Sequence, residues 1–127
     1  MQPTLVIDGT KSSPEIILDP REGIFSFSGT SMSEDAVGFY MPIIDWLKKY
    51  ALDPNPMTQV KFKMTYFNTA SSKLLWEIMS LLQDIYSNGH KVKIDWIFQD
   101  EDEDMEEAGE IYAERMDIPI NLIISED

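Results

Sequence analysis

Three hydroxyls and one cation fall within five consecutive residues, Thr69-Ala70-Ser71-Ser72-Lys73, directly after Asn68. Residues of these types at the start of a helix could hold a phosphoryl group. The group would meet backbone N–H donors that have no partner within the helix, the positive end of the helix dipole, and the ammonium of Lys73. Phosphorylation would add about 1.5 to 2 negative charges, enough to drive off a partner packed on that edge and so to act as a release switch. The competing reading is a plain cap, because Asn, Thr and Ser are what helix N-termini take, each contributing about 1 kcal/mol.

Other residues able to do chemistry are few. His90, the one histidine, follows Gly89 in a turn, where it reads as a solvated loop residue with no triad around it. The chain has neither G-x-x-x-x-G-K-[ST] nor G-x-G-x-x-G, so the usual phosphate-cradling loops are missing. Asp100-Glu101-Asp102-Glu103-Asp104 spaces carboxylates as a calcium loop does, but Met105 stands where that loop needs glycine and Ile111 where it needs a bidentate Glu. The run reads as a solvated segment leading a helix, with docking of a basic partner as its functional alternative. The aromatic residues Phe39, Tyr40, Trp46, Tyr50, Trp76, Tyr86 and Trp96 stand beside aliphatics at helical or strand spacing, which predicts core packing over a ligand pocket. Two alternatives stay open beside the phospho-switch: a small carboxylate-based enzyme and a purely structural subunit.

Composition narrows the partners. With 23 acidic against 10 basic side chains the formal charge is -13, which repels nucleic acid and anionic lipid and favours a protein partner. No cysteine is present, which excludes a disulfide framework and thiolate chemistry and makes cytoplasm the default location. No apolar run approaches the roughly 18 residues that span a bilayer, and the N-terminus lacks the pattern of an export signal, so neither membrane insertion nor secretion by that route is expected. No cofactor or metal is implied. A chain of 127 residues, 43% hydrophobic, predicts one folded domain over 1–127.

The elements that must position these residues follow from periodicity. Apolar runs at 4–7 and 14–18 and the alternating stretch 23–29 predict three strands, the last two a hairpin, with Phe25 and Phe27 on one face. Ser31 or Ser33 is the expected cap of an amphipathic helix over about 34–51 that carries Phe39, Ile43, Trp46, Leu47 and Tyr50, with Pro42 kinking it or marking its start. Val60, Phe62, Met64 and Tyr66 alternate with Lys61, Lys63 and Thr65, which predicts a strand over 58–67 with one wet face. A second helix over about 70–87 ends at Ser87-Asn88-Gly89; a strand over 91–98, a helix to about Met116 and a strand over 118–124 complete the chain. The order βββ-α-β-α-β-α-β predicts an α/β fold, a mixed central sheet covered by helices.

At Tyr66-Phe67-Asn68-Thr69-Ala70-Ser71-Ser72-Lys73 the chain resembles the Y-x-N-T-S-S-S-K segment of SiaC-type bacterial regulatory phosphoproteins. Thr10-Lys11-Ser12-Ser13-Pro14, Pro42-Ile43-Ile44-Asp45-Trp46-Leu47 and Asp95-Trp96 are similar to that family's pattern, so the resemblance runs over nearly the whole chain. It implies a single STAS-like domain, related in fold to the anti-sigma-factor antagonists, that is not an enzyme. It further implies that the unphosphorylated form binds and activates a diguanylate cyclase, controlling cyclic di-GMP and with it biofilm or aggregation. A serine/threonine kinase and a protein phosphatase would set its state. The modified residue maps to Thr69, with Ser71 and Ser72 as second choices; Asn68, Ser71, Ser72 and Lys73 would stabilise the phosphate or touch the partner. Ala70 stands where the family commonly has serine, which removes one acceptor. The Asp-Ser-Ser-Gly turn of ordinary STAS proteins is absent.

Overall fold

Asp19 closes the hairpin between the second and third strands: its side chain accepts the N–H groups of Arg21 and Glu22, and Gly23, at φ +70°, supplies the left-handed residue the turn needs. That turn joins β2 (Glu15–Asp19) to β3 (Ile24–Ser31), with the short β1 (Leu5–Ile7) outside β2. There follow α1 (Ala36–Tyr50), β4 (Met57–Phe67), α2 (Thr69–Ser87), β5 (Lys91–Phe98), α3 (Glu103–Arg115) and β6 (Ile120–Ile124). This is a computed structural model, and it describes residues 2–126. The order of elements is the one periodicity predicts.

The six strands lie side by side in chain order, β1 to β3 antiparallel and β3 to β6 parallel. Each crossover therefore steps one strand in the same direction. Crossovers of the usual right hand then bring all three helices to the same face. The packing agrees: Phe25 meets Trp46 of α1, and Trp96 meets Tyr112 of α3, and both Phe25 and Trp96 point to that face. The expectation of a sheet covered by helices holds for one face; among the described residues no helix lies on the other.

Between sheet and helices runs one aromatic core. Phe27 stacks on Phe62 at 4.7 Å, Phe62 meets Trp96 at 5.7 Å, and Trp96 meets Tyr112 at 5.2 Å, centroid to centroid. The Trp96 indole N–H donates to the Met105 carbonyl at 2.8 Å, so the largest core side chain carries no orphan donor. Gly109 lets α3 approach: a Cβ there would run into the Trp96 ring and Leu122. Tyr40, Trp46, Tyr50 and Trp96 are buried and Phe39, Trp76 and Tyr86 partly so, as core packing requires.

Five local expectations are corrected. Neither Ser31 nor Ser33 caps α1; Asp35 does, accepting the Gly38 N–H at 3.0 Å, while Ser31 is the last residue of β3 and is buried. Strand pairing captured Ser31 because it continues the inward phase of Phe25 and Phe27. Pro42 does not mark the start of α1, which begins at Ala36, but lies inside it, where the i to i−4 bond that proline cannot make would have gone to exposed Gly38. Tyr66 is 48% exposed and off the apolar face, because the register between β3 and β4 skips Thr65 and a bulge reverses the phase. The third helix begins inside the acidic run, not after it, since Asp102 caps it. The final strand begins at Ile120, leaving Ile118 buried ahead of it.

Candidate functional site

β4 leads into the extended residue Asn68, whose N–H donates to the Ser31 carbonyl at 2.9 Å and so ties the start of α2 to the end of β3. Its side-chain oxygen accepts the Ser71 N–H at 2.9 Å and its carbonyl the Ser72 N–H at 2.9 Å. Asn68 is thus the cap. Thr69 is the first residue of the helix, exposed, with its hydroxyl not needed for capping. The N–H groups of Thr69 and Ala70 precede the first intrahelical bond and lie at an exposed helix start.

The hydroxyl cluster is split by the turn of the helix. Thr69, Ala70 and Lys73 are exposed, whereas Ser71 is fully buried. Ser71 Oγ accepts from Ser31 Oγ at 2.8 Å, and Ser31 Oγ lies 2.7 Å from Tyr40 Oη, a buried chain of three hydroxyls from three elements. Burial pushes the Tyr40 phenol above its ordinary pKa, with the bond to Ser31 acting the other way. It therefore stays neutral at physiological pH and serves as a prop beneath α2, not as a base.

Ser72 points between the two. It lines a groove of about 170 Å³ with Phe67, Trp76, Ala108, Ile111 and Tyr112, between α2 and α3. The groove is largely apolar, and Tyr66 and Ile111, with Met32 beside Ser31, leave 38–49% of their surface exposed around this end of the sheet. Sequence reasoning found Asn68 to Lys73 but missed the groove, having assigned Trp76 to the core; it also missed Ser31 and Tyr40 as the support of Ser71. The available signal was the inward phase of Ser31, a hydroxyl that must find partners once buried.

The other candidates are not gathered into a site. In the acidic run only Asp102 has a defined task, accepting the Met105 N–H at 3.1 Å, and Glu103, Asp104 and Glu106 occupy the first turn of α3. Asp100, Glu101, Glu103 and Asp104 are exposed, and no cluster of three or more metal-ligating side chains occurs among the described residues. His90 lies in the turn after Gly89, away from all of these.

Fold and site together define a small α/β protein with an accessible hydroxyl at an acid-free helix start beside an apolar groove, the build of a modifiable binding protein. The chain belongs to the SiaC family of regulatory phosphoproteins, whose model matches residues 7–125. Its fold is similar to SiaC of Pseudomonas aeruginosa, solved in complex with the diguanylate cyclase SiaD that it activates: the TM-score is 0.89 at 27% identity, covering 95% of this chain and 99% of that one. Apo-SiaC of the same organism matches at TM-score 0.86 and 26% identity, over 95% of this chain and 98% of that one. An uncharacterized protein of Pseudomonas aeruginosa strain UCBPP-PA14 is 29% identical over 118 residues, 93% of this chain and 94% of that protein. Membership in a regulatory phosphoprotein family bears out the reading of a signalling protein and not an enzyme.

Proposed function

We propose that the unphosphorylated chain binds and activates a diguanylate cyclase in the cytoplasm. A serine/threonine kinase phosphorylates Thr69 and releases the cyclase, and a protein phosphatase restores the binding form. The observation that carries the reading is the exposure of Thr69 on a helix start with no acidic residue in its first turn. A phosphate on Thr69 gains the dipole and the nearby N–H donors, and Lys73, four residues on, stands one turn away on the same side. Ser71 is enclosed and engaged, and Ser72 half-buried in the groove, so a kinase reaches Thr69 more readily than either. The adjoining groove offers an apolar seat for a partner side chain, and a dianion at its rim would have to be desolvated when that partner packs.

A solved complex of a family member with a diguanylate cyclase supports the partner class. The test is cyclic di-GMP synthesis by a cognate cyclase titrated with wild type, Thr69→Ala and Thr69→Asp. Thr69→Ala should activate like wild type and resist the kinase; Thr69→Asp should lose activation at least tenfold while keeping the native circular dichroism. Full activation by Thr69→Asp, or phosphate found only at another residue, would overturn the reading.

A further inference from the structure

The face of the sheet away from the helices carries a second feature. Alternation along β4 and β5 puts Met57, Gln59, Lys61 and Lys63 on that face together with Lys91, Lys93, Asp95 and Ile97. Four of the chain's 10 basic side chains therefore share two neighbouring strands of a molecule whose formal charge is -13. The register opposes Met57 to Lys91, Gln59 to Lys93 and Lys61 to Asp95. Lys91, Lys93 and Lys61 consequently form a diagonal row, one ammonium about every 6–7 Å along the strand direction.

Asp95, opposite Lys61, accepts its hydrogen bonds from amides and not from this row. It is 7% exposed, and its two oxygens accept from neutral amides, Gln59 Nε2 at 2.8 Å and Asn121 Nδ2 at 3.2 Å. Lys61 and Lys91 are exposed. Glu15 and Asp19 share the face but lie two strands away on β2, where Asp19 is taken up by its turn. Beside Lys61, a depression of about 160 Å³ lined by Ser26, Gln59, Gly23, Ile24 and Phe25 gives one end of the row a seat for a carboxylate. Toward β6 the face turns apolar at Ile97 and Ile123, which is 39% exposed.

We propose that this open face is a docking surface for an extended, acidic segment of a protein partner, separate from the Thr69 switch. Side chains on one side of an extended chain repeat at about the 6–7 Å spacing of the lysines, so carboxylates at alternate positions can meet successive ammonium groups. The net charge of -13 repels a polyanion such as nucleic acid, while a short acidic segment meets the local lysines at close range. α1, α2 and α3, with Thr69, occupy the other side, so docking here is compatible with either state of Thr69.

The experiment is amide NMR of the full chain titrated at low salt with a twelve-residue peptide alternating Glu and Ser (about 40 Å extended). Saturable shifts confined to β4, β5 and neighbouring Ser26 and Asn121 are expected, weakening at least tenfold in the double variant Lys61→Glu/Lys93→Glu. The exposed pair on α1, tested as Lys48→Glu/Lys49→Glu, should bind the peptide like wild type, and so should Thr69→Asp, which separates this result from the fate of the cyclase reading. Single variants Lys61→Gln and Lys93→Gln, each expected to weaken binding several-fold, replace the double reversal if its spectrum shows loss of fold. The proposal is overturned by the absence of saturable shifts on this face or by an equal loss in the α1 pair. Tighter binding of an oligothymidylate of equal charge or of anionic vesicles, or self-association through this face, would overturn it as well.

Discussion

Asn68 caps α2 and Asp102 caps α3 by the same bond, a side-chain oxygen accepting the N–H three residues on, at 2.9 and 3.1 Å. The turns that follow are opposite. α3 fills its first turn with Glu103, Asp104 and Glu106, which already satisfy its dipole. α2 has no acidic residue there and presents Thr69 instead. In a chain with 23 acidic side chains, an acid-free helix start is a place where an added anion is gained, not repeated. The difference teaches that capping and charge compensation are separable: α3 uses both in its own stability, whereas α2 keeps the cap and has no carboxylate in its first turn.

The sharpest break of this comparison lies inside α2 itself. Ser71→Asp places an unpaired charge among Ser31 and Tyr40 and should cost on the order of 3–5 kcal/mol, unfolding much of the protein; Thr69→Asp, two residues away but exposed, should lose none of that in a urea titration. Equal costs would show that the inside–outside division of the cluster is wrong. Next come the caps: Asn68→Ala and Asp102→Ala should each lower stability by about 1 kcal/mol, measured by thermal or urea unfolding. Replacing Glu103, Asp104 and Glu106 by Gln should cost about 0.3–1 kcal/mol per residue at low ionic strength, less as salt is added. The smallest effect is that of Thr69→Ala, within about 0.5 kcal/mol of wild type, because its hydroxyl does not cap. A loss near 1 kcal/mol would restore Thr69 as a structural cap.

Much of this was legible in the residues. The alternation of Val60, Phe62 and Met64 and the stripe Leu74, Leu75, Ile78, Leu82 and Ile85 placed β4 and α2 to within a residue, and the hydroxyl cluster marked the junction between them. What escaped was what depends on neighbours remote in sequence. Ser31 read as a cap because caps favour serine, yet pairing with β4 drew it into β3. Tyr66 kept its phase on paper, and only the register with Thr30 displaced it. Gly109 carried no signal, since its contact with Trp96 and Leu122 joins elements that periodicity treats separately.

Periodicity and capping chemistry are local properties, and they were enough to give the order of elements, the exposed-acid character of the chain and the candidate stretch Asn68 to Lys73. Which side of that stretch faces water is a tertiary matter. Thr69 is outside and Ser71 inside because Ser31 and Tyr40, 40 and 31 positions earlier, stand beneath α2. The open lysine face is tertiary in the same sense: alternation says that Lys61 and Lys93 share a wet side of their strands, but only the common direction of the three crossovers leaves that side without a helix among the described residues.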